Sequence, residues 1–260
     1  MLLTKTSRVT AISGLLLLFM SLSSRAQIYR NEKLTFLDGS GNPTKEKKAV
    51  TFRQVVKMDD TLWEINLYQK GGPRIRSMQS GDPDGHMLNG RYITYTFLGD
   101  ADTVGTYSKG RREGYWRVFT RDGRIVRVMW YKEGTLLWTK DSVEWKQQLQ
   151  LYEAFVPMKG EVGPEFPGGP AAWLAYLHKN LRYPDMAFKN RVEGDVIIAF
   201  LVDEDGMVSL DDVWVARSVE YDLDGEALRI IYRSPDWEPA KMDGKPVRSY
   251  REQPILFKLH

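Results

Sequence analysis

The 260-residue chain contains no cysteine. That excludes disulfide staples, thiolate zinc sites, cysteine nucleophiles and a lipid-bearing N-terminal cysteine. Histidine is nearly as scarce, with His86, His178 and His260 alone, and none of them stands in a nucleophile or metalloprotease pattern. No glycine loop of the phosphate-cradling kind is present, so ATP-driven chemistry is not expected. The apolar stretch Val9 to Leu22 covers only 14 residues, whereas a membrane-spanning helix needs about 20. What is present is ordinary for a soluble globular chain: 42% apolar and 27% charged residues. These values exclude wholesale disorder, collagen-like repeats and a polytopic membrane protein.

Lys5 and Arg8 precede that apolar stretch, and Ser24 and Ala26 put small residues at the −3 and −1 positions of a cut before Gln27. This is the layout of a secretory signal peptide. Residues 1–26 are therefore expected to direct export and be removed; if retained, they would anchor the chain in the inner membrane. Export argues against nucleic acid as a partner. The charge is split along the chain. Residues 27–150 hold 21 Lys/Arg against 15 Asp/Glu, and residues 151–260 hold 13 against 19. A sign change of this size suggests two modules with different surfaces.

The first half repeats itself. Residues 90–110 and 114–134 match at a constant offset of 24: Gly90, Gly99 and Gly110 fall on Gly114, Gly123 and Gly134, Tyr107 falls on Tyr131, and Tyr92 and Tyr95 fall on Trp116 and Phe119. Each unit reads as strand, glycine turn, strand, glycine turn, and Asp122-Gly123 is a hairpin signal. A weaker copy starts near Trp63. Units of this kind stack and share a buried face, so residues 27–141 are expected to form an antiparallel meander of about seven strands. The pattern resembles MORN-like repeats of the YwqK type, which imply a scaffold or binding surface. The cluster Lys109, Arg111, Arg112, Arg117, Arg121, Arg124 and Arg127 reads as a solvated face with scattered salt bridges, with an anionic polymer or lipid headgroups as the other reading.

Residues 142–169 read as a connection. Ser142 to Phe155 is expected to be a helix with Trp145, Leu149 and Tyr152 on one stripe, followed by a Pro/Gly-rich hinge. Beyond it, Pro170 suits the first position of a helix that places Trp173, Leu177 and Leu181 on one face, and Tyr183-Pro184 opens a second short helix. Val196 to Val202 is apolar on both faces, as a strand covered on both sides would be. One cover should be helical; the other must be the first module, a second copy or a partner. A shift of hydrophobic parity across Asp211-Asp212 suggests a bulge in the strand Met207 to Val219. Asp222 is expected to cap a helix that buries Leu223, Ala227, Ile230, Ile231 and Ser234. The last strand reads as Val247 to Leu259 with Ile255, Phe257 and Leu259 inward. Pro254 lies within it, and a proline cannot donate to a ladder, so this strand should be an edge or bulged there. An edge strand can take up an extended peptide as an additional strand.

The motifs PEFPGG, RYPDMAFKNRVEGDVIIAFLVDEDGMV, DGEALRIIYRSPDWEPAKMDGKPV and PILFKL, in that order, resemble the TonB C-terminal domain, most closely the variant common in Bacteroidetes. The resemblance covers roughly 164–260 and implies an α+β domain over 170–260, with helices packed on a small antiparallel sheet. It also implies a periplasmic protein linked to TonB-dependent transmembrane transport, whose partner is an outer-membrane transporter or another envelope protein. Carried over by position, the peptide-binding residues are Val247, Arg248, Ser249, Tyr250, Arg251, Glu252, Gln253, Pro254, Leu256 and Lys258, and the transporter-contacting ones Arg182, Tyr183 and Pro184. The glutamine-proline pair that precedes Tyr-Pro in well-known members is here Asn180-Leu181. Inner-membrane motor proteins become partners only if residues 1–26 stay attached. The competing reading is a scaffold without force transmission that binds envelope proteins or cell-wall polymer through its repeat sheet. No acid/base pair, metal site or cofactor site can be assembled from the remaining residues. Asp82, Asp84 and His86 have metal-like spacing but read as a turn, and an EF-hand loop from Asp82 would need glutamate where Ile93 stands. The chain is not expected to be an enzyme.

Overall fold

A computed structural model of the chain describes residues 32–120, 124–141 and 162–259, and of residues 210 and 211 the backbone alone. The export segment, the helix expected from Ser142 and the Asp122-Gly123 turn lie outside the described residues.

The first half is one sheet of nine strands: β1 (Glu32–Leu37), β2 (Thr51–Lys57), β3 (Trp63–Gln69), β4 (Arg74–Ser80), β5 (Leu88–Tyr95), β6 (Ala101–Ser108), β7 (Arg111–Phe119), β8 (Ile125–Lys132) and β9 (Thr135–Asp141). Each pairs antiparallel with the next, so spatial order equals chain order. The meander is thus two strands longer than expected. The offset of 24 carries β5 onto β7 and β6 onto β8. The tight hairpins are repeated too. Lys109-Gly110 and Glu133-Gly134 have φ of 50° and 78°, and 49° and 86°, the paired positive values of a two-residue turn that matches strand twist. The repeated aromatics pack on each other across strands, with Trp116 5.2 Å from Tyr107 and 5.6 Å from Tyr92. Gly105 makes room for the Trp116 ring, which a Cβ there would meet at 2.2 Å. Members of the basic cluster have separate partners. Arg112 lies over Trp116 at 4.3 Å and donates to the Tyr131 hydroxyl, while Arg127 pairs with Asp141.

The second half contains α1 (Gly169–Asn180), α2 (Asp185–Lys189), β10 (Gly194–Val202), β11 (Val208–Arg217), α3 (Tyr221–Tyr232), β12 (Ala240–Met242), β13 (Lys245–Val247) and β14 (Ser249–Phe257). β10 is central, between β11 and β14. Its register with β11 jumps from Phe200↔Val213 to Val202↔Val208, which is the bulge expected near Asp211-Asp212. Val196, Ile198, Phe200 and Val202 face α3, whose Leu223, Ala227, Ile230 and Ile231 are all buried. Glu220, not Asp222, caps α3: its carboxylate accepts the N–H of Asp222. The described part of the expected hinge is paired. Val162 and Glu165 bridge to Lys241 and Glu238, and Phe166 is buried against Trp173 and Trp237.

The first module is the second cover of β10. Ala199, Trp214 and Tyr250 on the far face of the small sheet form a cluster with Ile93, Tyr95, Val104 and Phe119 of the repeat sheet. Polar contacts fix the docking. The Tyr95 hydroxyl donates to Val215 O at 2.8 Å, Ser218 N to Gly99 O at 2.9 Å, and Arg74 N to Ser218 Oγ at 2.8 Å. Behind them the Arg74 guanidinium, buried among Tyr68 and Asn66, lies 3.6 Å from the buried Asp224 carboxylate, which also accepts the Ser218 hydroxyl. Tyr221 reaches Glu32 at one end of the same interface. No helix among the described residues is long and apolar enough to cross a membrane.

Two predictions test this docking. Gly99 has φ of 92°, and a Cβ there would sit 1.9 Å from the Ser218 carbonyl oxygen. Gly99→Ala should cost roughly 2–4 kcal/mol in denaturant unfolding, and a loss below the error of that measurement would contradict the contact. Burial, and then the charge of Asp222, push Glu220 from an ordinary 4.5 up to about 7. Its unfolded form releases the proton earlier than the folded form, so its contribution to stability falls as pH rises from about 4.5 to about 7 and is level above. Glu220→Gln should flatten that part of the stability–pH curve; an unchanged slope would assign it to other groups.

Candidate functional site

β14 pairs with β10 without interruption over nine positions, from Gly194↔Phe257 to Val202↔Ser249. Among the described residues no strand pairs with its other side. Pro254 faces Ile197 inside this unbroken register. In an antiparallel ladder the main-chain N–H and C=O of one residue point to the same side and alternate from residue to residue. A proline within an unbroken ladder must turn its missing donor away from the partner. The main-chain groups of Glu252, Pro254 and Leu256 therefore line the outer edge, and those of Arg251, Gln253, Ile255 and Phe257 hold β10. The Gln253 amide reaches round to the Pro254 carbonyl at 3.3 Å.

Side chains alternate on the same strand. Gln253, Ile255 and Phe257 are buried, while Glu252, Pro254 and Leu256 are exposed, Leu256 to 59%. Arg251 is tied to the helical side, donating to the Pro164 carbonyl at 2.6 Å and lying over the Trp237 ring. Tyr250 belongs to the module interface. Its ring packs on Trp214 at 5.5 Å and its hydroxyl donates to Asp212, with burial and that carboxylate pushing its pKa up to about 12.

The sequence-derived peptide-binding set is therefore not one continuous strand. Ser249 to Leu256 lie in β14. Val247 belongs to the β12–β13 hairpin, where it faces Ala240. Arg248 falls between two strands, and Lys258 follows the end of β14; both are exposed. The transporter-contact set divides as well. Tyr183 packs edge-on against Phe257 at 5.8 Å and donates to the Val192 carbonyl, so it latches the chain to the end of β14. Arg182 donates its N–H to Glu226 of α3, and Pro184 precedes α2. Asp82, Asp84 and His86 come together, but Asp82 is engaged by its own loop. Against the effect of burial, the N–H groups of Met87, His86 and Asp84 hold its carboxyl down at about 2.

The contacts that position β14 escaped the sequence reading. Arg74 sits in an unremarkable GGPRIRS stretch, and Asp224 resembles any acidic residue near a helix start. Only an acid at the third or fourth position of a helix with apolar neighbours on both sides hints at burial.

Residues 179–259 match the family described as Gram-negative bacterial TonB protein C-terminal. The match begins at the end of α1 and runs through β14, and the α+β architecture expected of this region is present. No curated protein and no solved structure matches the chain.

The alternation along β14 can be read directly by amide hydrogen exchange. The amides of Arg251, Gln253 and Ile255 should be protected, and those of Glu252 and Leu256 should exchange on the order of a hundredfold faster or more. Equal protection of both sets would mean that the outer edge is covered.

Proposed function

We propose that the chain is a periplasmic TonB-like protein that serves TonB-dependent transport, and that its C-terminal domain captures an extended segment of an outer-membrane transporter as a fourth strand beside β14. The observation that carries this reading is the single-sided pairing of β14 in a region that matches the TonB C-terminal family. Strand addition needs a row of unpaired main-chain groups and a rigid strand behind them. The outer groups of Glu252, Pro254 and Leu256 supply the row. The buried Ile255 and Phe257 supply the rigidity. The incoming segment gains affinity from main-chain bonds and faces Glu252 and the apolar Leu256 for selectivity. Arg251 and Gln253, bound to each other and to Pro164, stiffen the strand.

The repeat sheet has a defined part in this reading. It closes the second face of the small sheet, which leaves the strand edges to an extended chain, and β14 offers one of them.

A titration with a transporter-derived TonB-box peptide tests the proposal. Glu252→Pro removes an outward donor from an exposed position and should leave the thermal unfolding profile close to that of the parent. It should weaken peptide binding by about tenfold. Equal affinity of parent and variant would remove β14 as the docking strand.

A further inference from the structure

α3 has two working faces. One stripe is buried in the domain core, and the opposite stripe looks across to β2, β3 and β4 of the repeat sheet over a cleft of about 300 Å³. That is the lower end of the size range of sites for small molecules. The cleft is separate from the outer edge of β14 and plays no part in the strand-addition reading.

Its walls are apolar where Val56, Met58, Pro184 and Leu228 line it, and aromatic at Tyr221 and Tyr232. Most of its polar groups are consumed by one another. Gln54 donates to Glu32 and accepts from Asn66; Asn66 also donates to Glu64 and accepts from Arg74. Arg74 is bound by Tyr68 beside Asp224. Glu226 takes Arg229 and the N–H of Arg182.

Two carboxylates keep acceptor capacity. Glu64 holds one amide at 3.0 Å, with Arg74 only at 3.9 Å. Asp222 lines the cleft on the helix side, half-buried, and receives no side-chain or main-chain donor among the described residues. The lining carboxylates of Glu64, Asp222 and Glu226 equal the guanidiniums of Arg74, Arg182 and Arg229 in number, but Arg229 is bound to Glu226, Arg74 lies nearer to Asp224 than to Glu64, and Arg182 is exposed. The Asp222 carboxyl is pushed up by burial and then by the charge of Glu32. Two partly buried carboxylates without a close cation, beside aromatic faces, suit a desolvated cation, and the apolar walls suit a hydrocarbon body behind it.

We propose that the cleft between α3 and the repeat sheet binds a small organic cation, an amine with an apolar body, whose ammonium group is met by the carboxylates of Glu64 and Asp222. The ligand touches both modules, so its binding would also hold the repeat sheet against the domain that carries β14.

Isothermal titration of the full chain with phenethylammonium, 2-phenylethanol and 3-phenylpropionate tests this. The ammonium should bind saturably and about tenfold tighter than the alcohol, and the carboxylate should give no saturable heat. Asp222→Asn leaves the Glu220 cap in place and should lose about tenfold in ammonium affinity. Met58→Trp, at the wall of the cleft, should block binding of the ammonium while circular dichroism shows the fold retained. The proposal is overturned if the ammonium shows no saturable binding at millimolar concentration, if the alcohol binds as well as the ammonium, or if both variants bind like the parent. Peptide capture at β14 is measured separately, so failure here leaves that reading standing.

Discussion

A three-stranded sheet whose central strand is apolar on both faces cannot stand in water with one cover. β10 sets that condition: Val196, Ile198 and Phe200 need one hydrophobic layer, and Ala199, with Trp214 and Tyr250 beside it, needs another. The helices meet the first need and the repeat sheet the second. Apolar burial alone would let two such layers slide over each other, since it has no direction. The Arg74–Asp224 pair and its ring of hydrogen bonds supply the direction. Such a buried pair is poor evidence for net stability, but breaking one side of it is costly, because the other charge is then left without a partner. The docking is therefore specific in register as well as favourable in area.

Much of this was legible in the chain itself. The 24-residue offset announced identical hairpins, and the structure repeats them down to the two positive φ values of each turn. The double-sided apolar run of β10 announced two covers. Pro254 announced an edge. These signals are local: periodicity, turn chemistry and a missing N–H each act within a few residues.

What the sequence did not reveal is nonlocal or hidden by continuity. Nothing near Arg74 says that its counter-charge lies 150 positions away. Val247 continues the alternation of the last strand, so the break at Arg248 and the separate β12–β13 hairpin leave no trace in the pattern. Tyr250, carried over as a peptide-binding residue, shares its parity with the exposed Glu252 and Leu256; parity names the face but not what covers it. The helix start moved from Asp222 to Glu220 for a related reason. Aspartate is the better cap by preference, yet the extended backbone at Glu220 and the hydrogen bond its carboxylate takes from the N–H of Asp222 set the boundary. The nine strands, two more than expected, come from residues 32–57, whose charge-rich stretches dilute the alternation of β1 and β2.

Pro254 carries one more implication. An uncovered strand invites copies of the same protein to aggregate edge to edge, a hazard that natural sheets blunt by prolines and charges. The row beside β14 lacks one donor at its middle and bears Glu252 one rung away. Two identical rows laid antiparallel would each present that gap to the other and would bring their like charges close. A foreign segment with its own sequence can avoid both penalties. The proline thus favours heterotypic over homotypic pairing, and allows a sticky border to persist in a crowded compartment without seeding fibrils.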